Sequence, residues 1–242
     1  MMRSLLRIFF HLLYHPLAFT YDLVAATVSL GRWKDWVKSV IPFIEGNRIL
    51  EIGHGPGHLQ RMLLTSRHSP GPAQNFLVVG IDESAWMGRL ARRNLTRHPI
   101  SIRQPQPASS DPAQPLDYTQ ISLTRAVSQH LPFPEGYFDT VAATFPTEYI
   151  YDPDTLSETY RVLSPGGQLV ILPGATILGR GLMDRLMALL FRITGQTPPN
   201  LSEIIHERSK EPFGKAGFKV RTHELDIRSS RVFILVATKT TN

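Results

Sequence analysis

Residues 48–59, Arg-Ile-Leu-Glu-Ile-Gly-His-Gly-Pro-Gly-His-Leu, decide how this chain folds. The apolar run through Ile49, Leu50 and Ile52 is typical of a strand that is buried on both faces of a sheet. Glycines follow at positions 53, 55 and 57, where the backbone can turn sharply and a ligand can approach it closely. A helix that begins near Gly57 directs its free N–H groups at this turn. The stretch therefore predicts a polar, partly anionic ligand at the carboxyl end of the first strand.

The spacing of these glycines excludes two common nucleotide-binding loops. The dinucleotide fingerprint needs a third glycine where His58 stands, and the lysine of a phosphate loop is absent. The pattern Glu-x-Gly-x-Gly-x-Gly, from Glu51 to Gly57, resembles instead the first motif of the class I S-adenosylmethionine-dependent methyltransferases. The resemblance continues, in the family's order, at residues 79–82, 131–139 and 161–167. A Tyr-Asp pair at 21–22 is similar to a segment of the quinone-biosynthesis C-methyltransferases.

The resemblance implies an α/β fold, a Rossmann-like doubly wound sheet of seven strands. Most strands are expected to be parallel, with an antiparallel last strand. We expect two regions: an N-terminal helical cap at 1–45, and a methyltransferase domain at 46–242 with a helical insertion near 175–200. The apolar patterns predict further strands at 76–81, 121–126, 138–144 and 168–172, the last broken by Pro173 and Gly174. They also predict helices at 84–97, 153–163 and 201–216.

Composition limits the class of protein and its partners. The chain has 242 residues, 42% of them hydrophobic, and no cysteine, which suits one large domain without disulfides or thiolate metal sites. The net charge of +6 favours anionic partners, and a solvated basic surface is the simpler alternative. A basic cluster on the helix predicted at 84–97, which we interpret as a solvated face, consists of Arg89, Arg92, Arg93, Arg97 and His98. Because no recognition motif accompanies it, no nucleic-acid partner is expected. The oligomeric state is not indicated.

Residues 1–30 combine polar side chains at helical spacing with an otherwise apolar surface. Such a helix can lie in a membrane interface, or it can pack on its own domain or on a dimer partner, and both alternatives stay open. A secretory signal is disfavoured because histidines and an acid interrupt the apolar run. Residues 177–194 form a second basic, apolar stretch. Together the two stretches favour a lipid-like acceptor and peripheral attachment to an anionic inner membrane face. The resemblance to S-adenosylmethionine-dependent enzymes implies a cytoplasmic location.

The resemblance assigns the methyl donor, S-adenosyl-L-methionine, to residues at the carboxyl ends of the first strands. Asp82 is expected to bind the ribose hydroxyls; its alternative role is to cap the following helix. The family's Asp-Ala pair that reads adenine is replaced here by Val127 and Ser128. The expected donor-binding residues are Glu51, Gly53, His54, Gly55, Gly57, Asp82, Glu83, Met87, Ser128, Gln129 and Phe145.

The acceptor is expected beyond the fourth strand, where open α/β sheets place their chemistry. Glu148 and Tyr149 are the catalytic candidates, as a proton acceptor and as a group that orients the acceptor or contacts the sulfonium. A surface charge or helix cap is the alternative for Glu148. Pro146 and Tyr21 are the candidate substrate contacts, with a core tyrosine as the alternative for Tyr21. No metal site is expected, because the histidines lack ligand spacing.

The sequence therefore predicts a methyltransferase that moves a methyl group from S-adenosylmethionine to a small or lipid-like acceptor by in-line displacement. The alternative is a degenerate scaffold that binds the donor without turnover. Val127, which replaces the family's adenine-reading aspartate, is the feature that favours this alternative. A nucleic-acid methyltransferase is disfavoured, because the base-flipping motif is missing after the fourth strand.

Overall fold

A single seven-stranded sheet organises the computed structural model, which describes residues 29, 31–66, 76–96, 119–178, 181, 184 and 201–240. The strand order is β3-β2-β1-β4-β5-β7-β6. Strands β1 to β5 are parallel, and β7 runs antiparallel to both of its neighbours, as predicted for the last strand. The strands are β1 Arg48–Ile52, β2 Phe76–Ile81, β3 Thr119–Thr124, β4 Phe138–Thr144, β5 Leu163–Ile177, β6 Phe218–Ile227 and β7 Ser230–Lys239.

Helices cover both faces of the sheet. On one face, α1, α2 and α3 bury Val37, Leu63 and Leu95 against β1 and β2. On the other face, α4 and α5 bury Leu156 and Phe213 in the larger core. The helices are α1 Trp33–Lys38, α2 His58–Ser66, α3 Ala85–Thr96, α4 Pro153–Val162 and α5 Leu201–Lys215, with short 3₁₀ helices at Ile41–Phe43 and Glu148–Tyr151.

Strand β5 is longer than its sequence predicted. The expected break at Pro173 and Gly174 is wrong, because the strand extends from Leu163 to Ile177. Its register against β7 shifts between Ile171 and Gly174. Such a bulge lets a proline, which has no N–H to donate, stay within a paired strand. Strand β3 also begins and ends two residues earlier than predicted, at Thr119 and Thr124.

The two apolar stretches that favoured a lipid-like acceptor lie largely outside the described residues. Neither 1–28 nor most of 179–200 is described, so the helical cap and the insertion stay predictions. One contact between these regions is described: Arg32 forms an ion pair with Asp184 at 2.6 Å, and both side chains are largely buried. None of the helices within the described ranges is long and apolar enough to cross a bilayer.

The side-chain carboxylate of Asp139, near the start of β4, connects that strand to the start of β1. Asp139 accepts hydrogen bonds from the backbone N–H groups of Asn47 and Arg48, both at 2.9 Å, and from the Arg48 guanidinium at 2.8 Å. Burial by itself raises the pKa of Asp139, but the hydrogen bonds from Arg48 and Asn47 outweigh it, so its pKa lies below the usual value. The charged form therefore stabilises the fold.

Replacing Asp139 by asparagine should lower the free energy of unfolding at pH 7 by about 1–3 kcal/mol, because three donors lose a charged acceptor. The contribution is present above the ordinary carboxyl pKa of 3.8 and is lost as the pH falls through the lower folded value. Urea unfolding of both proteins at pH 7 and pH 3 measures this, and the difference should shrink in acid. Asp226→Asn, at an exposed ion pair, is the control and should leave Cm unchanged. Equal losses in the two variants would contradict the assignment.

Candidate active site

The glycine turn after β1 is fastened to the end of β2. The N–H groups of Gly53 and His54 donate to the carbonyl of Ile81 at 2.8 and 3.1 Å. The N–H of Gly55 donates to Oδ2 of Asp82 at 2.9 Å. Gly53 has a φ of 69°, and a Cβ there would lie 2.6 Å from the Tyr149 hydroxyl, so only glycine fits. The carboxyl ends of the first two strands thus form one rigid cradle.

Asp82 does not cap α3. Ser84 takes that position, and its hydroxyl accepts from the N–H of Met87 at 3.3 Å. Oδ1 of Asp82 accepts from the N–H of Ser84 at 2.8 Å. Both oxygens of Asp82 are therefore fixed in direction by backbone donors, while a carboxylate keeps further lone pairs for a ligand.

A cavity of about 280 Å³ opens beside this turn, near the lower end of the range for small-molecule sites. Ten of the predicted site residues line it: Gly53, Gly55, Asp82, Glu83, Met87, Ser128, Gln129, Phe145, Pro146 and Tyr149. The sequence reasoning missed Thr144 and Thr147 as lining residues. Their position beside Phe145 and Pro146, at the carboxyl end of β4, was the available signal.

Four predicted residues do not line the cavity. Gly57 packs against α3, where a Cβ would lie 3.3 Å from that of Ala91. Glu51 and His54 are buried next to the turn rather than in the cavity wall. Glu148 is exposed and lies outside the lining, so its proposed role as a proton acceptor gains no support from its position. Tyr21 lies outside the described residues.

A polar cluster lies under the glycine turn. Glu51 pairs across the sheet with Gly80, and a Cβ on Gly80 would collide with the amide of Gln60 and lie 3.1 Å from the ring of His54. Both amide atoms of Gln60, Nε2 and Oε1, and one oxygen of Glu51, Oε2, are buried and have no hydrogen-bond partner among the described residues. Nδ1 of His54 lies 2.7 Å from the carbonyl of Gly55, which can only accept, so Nδ1 carries the proton.

Burial decides the charge of this cluster. It raises the pKa of Glu51 well above its usual value, and the nearby Asp82 carboxylate raises it further. Burial also lowers the pKa of His54, although Asp82 and the backbone hydrogen bonds act in the opposite direction. Glu51 and His54 are therefore both favoured in their neutral forms.

The Glu51→Gln variant should be more stable than the parent protein at pH 8. The folded parent holds the Glu51 proton above pH 4.5, where the unfolded chain loses it, so its free energy of unfolding falls as the pH rises toward the folded pKa. Glutamine removes this penalty, and we expect Tm to rise by a few degrees at pH 8. The difference should vanish near pH 4. Glu207→Gln, at an exposed position of α5, is the matched control. A variant less stable than the parent at pH 8 would refute a neutral Glu51.

Aromatic side chains form the wall of the cavity beyond β4. Phe145 has a φ of 50°, a strained value for a bulky residue, and its ring stacks on Trp33 with centroids 4.1 Å apart. The hydroxyl of Tyr149 lies over Gly53 and donates to the carbonyl of Ile52 at 3.4 Å. Helix α1 thus packs directly against the end of the cavity that follows β4.

The end of the cavity at Val127 offers few polar groups that could form a hydrogen bond with a nucleotide base such as adenine. Val127 lines it and is 40% exposed. Ser128 is turned inward, with its hydroxyl 2.9 Å from that of Thr155. The Gln129 amide donates to Asp152 at 3.3 Å. Within the described ranges, no three potential metal-ligating side chains are grouped.

Arg161 of α4 anchors the loop between β3 and β4, which carries Ser128 and Gln129. Its guanidinium donates to the carbonyls of Leu131 and Phe133 and to both oxygens of Glu158. Glu158 in turn accepts from the N–H of Leu131 at 2.7 Å. The hydrogen bond from Arg161 is the main cause that lowers the pKa of Glu158, against a smaller effect of burial. The loop that carries Ser128 and Gln129 is therefore anchored to α4.

The sheet order and the glycine cradle define a protein of the class I methyltransferase fold. A solved structure from Methanococcus maripaludis, described as a candidate S-adenosyl-L-methionine-dependent methyltransferase, is similar with a TM-score of 0.60 at 19% identity and covers 93% of each chain. Residues 8–186 match the model of the ubiE/COQ5 methyltransferase family. This is more than half of the chain, which therefore belongs to that family.

Named relatives agree with this assignment. A demethylmenaquinone methyltransferase of Symbiobacterium thermophilum is 28% identical over 172 residues, covering 69% of this chain and 60% of the relative. The ubiquinone/menaquinone biosynthesis C-methyltransferase UbiE of Geobacter sulfurreducens is 29% identical over 183 residues, covering 74% and 62%. The chain thus matches about three fifths of the length of these curated relatives.

Proposed function

We propose that this protein transfers a methyl group from S-adenosyl-L-methionine to a quinone-type, lipid-like acceptor. Membership of the ubiE/COQ5 family supports the reaction, and the names of the relatives support the acceptor class. The observation that carries the donor site is the bond between the N–H of Gly55 and Asp82, because both residues line the same cavity. A bound donor fits here with its sugar at Asp82 and its amino-acid end over the glycine turn.

In this proposal the donor brings the activated methyl group, and the cavity wall at Phe145 and Tyr149 positions the acceptor. When bound, S-adenosylmethionine supplies a methyl group that its positive sulfur already activates. The chain's own contribution is alignment and exclusion of water. Tyr149 fixes the wall over Gly53 through its bond to Ile52, and Phe145 presents an apolar ring beside it. An aromatic wall of this kind favours an acceptor with an apolar, planar body.

A lipid-like acceptor also fits the surroundings of the cavity. Trp33 of the cap stacks on Phe145, and the neighbouring Arg32 pairs with Asp184 of the insertion. The cap and the insertion therefore meet next to the aromatic wall. We infer that the described residues of these two regions, near the ion pair and the aromatic stack, cover the acceptor.

Asp82→Asn should weaken S-adenosylmethionine binding by about tenfold or more, because the amide cannot offer two charged acceptor oxygens to the ribose and the turn together. Isothermal titration of the full chain with the donor and with S-adenosylhomocysteine measures this. The matched control is Asp154→Asn, at an exposed position in the first turn of α4, and it should bind like the parent. No binding of either ligand by folded parent protein would end the proposal.

Transfer is tested separately from binding. Labelled methyl groups from S-adenosylmethionine should enter a demethylated quinone presented in detergent or vesicles, and the product should appear in the lipid extract. Binding without transfer to any lipid would favour the scaffold alternative instead. Transfer into nucleic acid, with the lipid fraction unlabelled, would replace the proposed acceptor class.

Val127→Asp should strengthen S-adenosylmethionine binding several-fold. The resembled family has an aspartate at this position, and a carboxylate here gains a hydrogen bond to the adenine amino group, worth about 1 kcal/mol. Val127→Leu, which keeps the apolar side chain, should leave the affinity within twofold. The measurement is the same titration, and weaker binding by the aspartate variant would show that adenine lies elsewhere.

A further inference from the structure

Helix α3 carries an exposed surface that the cavity does not use. Its exposed side chains include one tryptophan and three arginines, within about one third of the helix circumference at 3.6 residues per turn. We call this surface the Trp86 face, defined by Trp86, Arg89, Arg92 and Arg93. The helix contains no acidic residue. Among the residues that the structure describes, none of the three arginines pairs with an acid.

Trp86 is exposed in an orientation that an arginine supports. Half of its surface is accessible, in contrast to the buried Trp36. The guanidinium of Arg89 lies over its ring, 4.3 Å from the centroid. A tryptophan with a stacked arginine combines an apolar body with a cation, the chemistry that is favoured where hydrocarbon meets charged headgroups.

The Trp86 face adjoins the mouth of the cavity. Glu83 and Met87, on either side of Trp86 in the chain, line the cavity. Across the mouth, Val127 is another exposed apolar side chain, and the preceding Arg125 donates to the carbonyl of Glu83 at 2.9 Å. A surface that contacts Trp86 therefore lies close to residues that line the cavity.

We propose that the Trp86 face docks on an anionic lipid bilayer and brings the mouth of the cavity to the layer that holds the acceptor. The proposal rests on the proposed function for its lipid-like acceptor. The three exposed arginines complement anionic headgroups, and Trp86 fits the interface between headgroups and hydrocarbon. Single-stranded nucleic acid is less suited, because it binds grooves with several stacking platforms, whereas Trp86 stands alone on a convex helix face.

Charge reversal with a matched control tests this surface. The Arg89→Glu/Arg93→Glu double variant changes the net charge as much as Lys219→Glu/Arg221→Glu, whose exposed residues lie on β6, at the far edge of the sheet from β3. Each full-length protein is sedimented with vesicles of phosphatidylcholine, with and without 30% phosphatidylglycerol. We expect the parent to bind the anionic vesicles, the α3 variant to bind about tenfold or more weakly, and the β6 variant within twofold of the parent.

The outcomes separate this proposal from its alternatives. Equal weakening in both variants would mean that net charge alone acts, and no weakening in either would place any bilayer contact elsewhere; both overturn the proposal. Displacement from vesicles by an oligonucleotide that binds the same arginines more tightly would also overturn it. Donor titration in solution should be unchanged in the α3 variant, since Arg89 and Arg93 lie outside the cavity lining. Failure of donor binding in the parent would instead concern the proposed function.

Fluorescence gives a second readout that does not depend on charge reversal. The chain has three tryptophans, so the difference between the parent and Trp86→Phe isolates the signal of Trp86. That signal should shift to shorter wavelength on anionic vesicles and be quenched by brominated lipid. The Arg89→Gln/Arg93→Gln variant, with an unchanged Tm, checks that weaker binding is not a consequence of misfolding. An unshifted, unquenched Trp86 on bound protein would refute the proposal.

Discussion

The active-site half of this protein depends on the attachment of one turn to the neighbouring strand. Three successive N–H groups, of Gly53, His54 and Gly55, donate to the carbonyl of Ile81 and the carboxylate of Asp82. Backbone donors in a turn are usually satisfied by water or left to a ligand, whereas here they fix the turn before any ligand arrives. Preorganisation of this kind removes the entropy of ordering a loop from the cost of binding.

The same attachment explains why polar groups are buried beneath the turn. Gly80 lacks a side chain, and the space above it is taken by Gln60 and His54. These residues pack closely, but they leave polar atoms of Glu51 and Gln60 without partners among the described residues. Unsatisfied polar atoms lower stability, and natural proteins tolerate them mainly next to functional sites. The polar residues beneath the glycine turn therefore lower the stability that a fully apolar core at this position would provide.

The sequence predicted the parts of the fold that local patterns specify. Strands β2 and β4 have the predicted bounds, because each is an apolar run with a clear stop. The break predicted in β5 was wrong, since proline and glycine at 173–174 are accommodated by a bulge against β7, a long-range partner that local patterns do not contain. The exposure of Glu148 has a similar origin. A 3₁₀ turn begins at that residue and directs Tyr149, not Glu148, into the cavity wall.

The ion pair between Arg32 and Asp184 also bears on how the protein is made. The two residues are 152 positions apart, and β1 to β5 lie between them in the sequence. During synthesis, which adds about 5–20 residues per second, Arg32 leaves the ribosome well before Asp184 exists. The partly buried guanidinium of Arg32 cannot form this ion pair until the whole parallel part of the sheet has been translated. Trp33 and Phe145 both precede Asp184 in the sequence, so the two rings of the aromatic stack are translated before this ion pair can form.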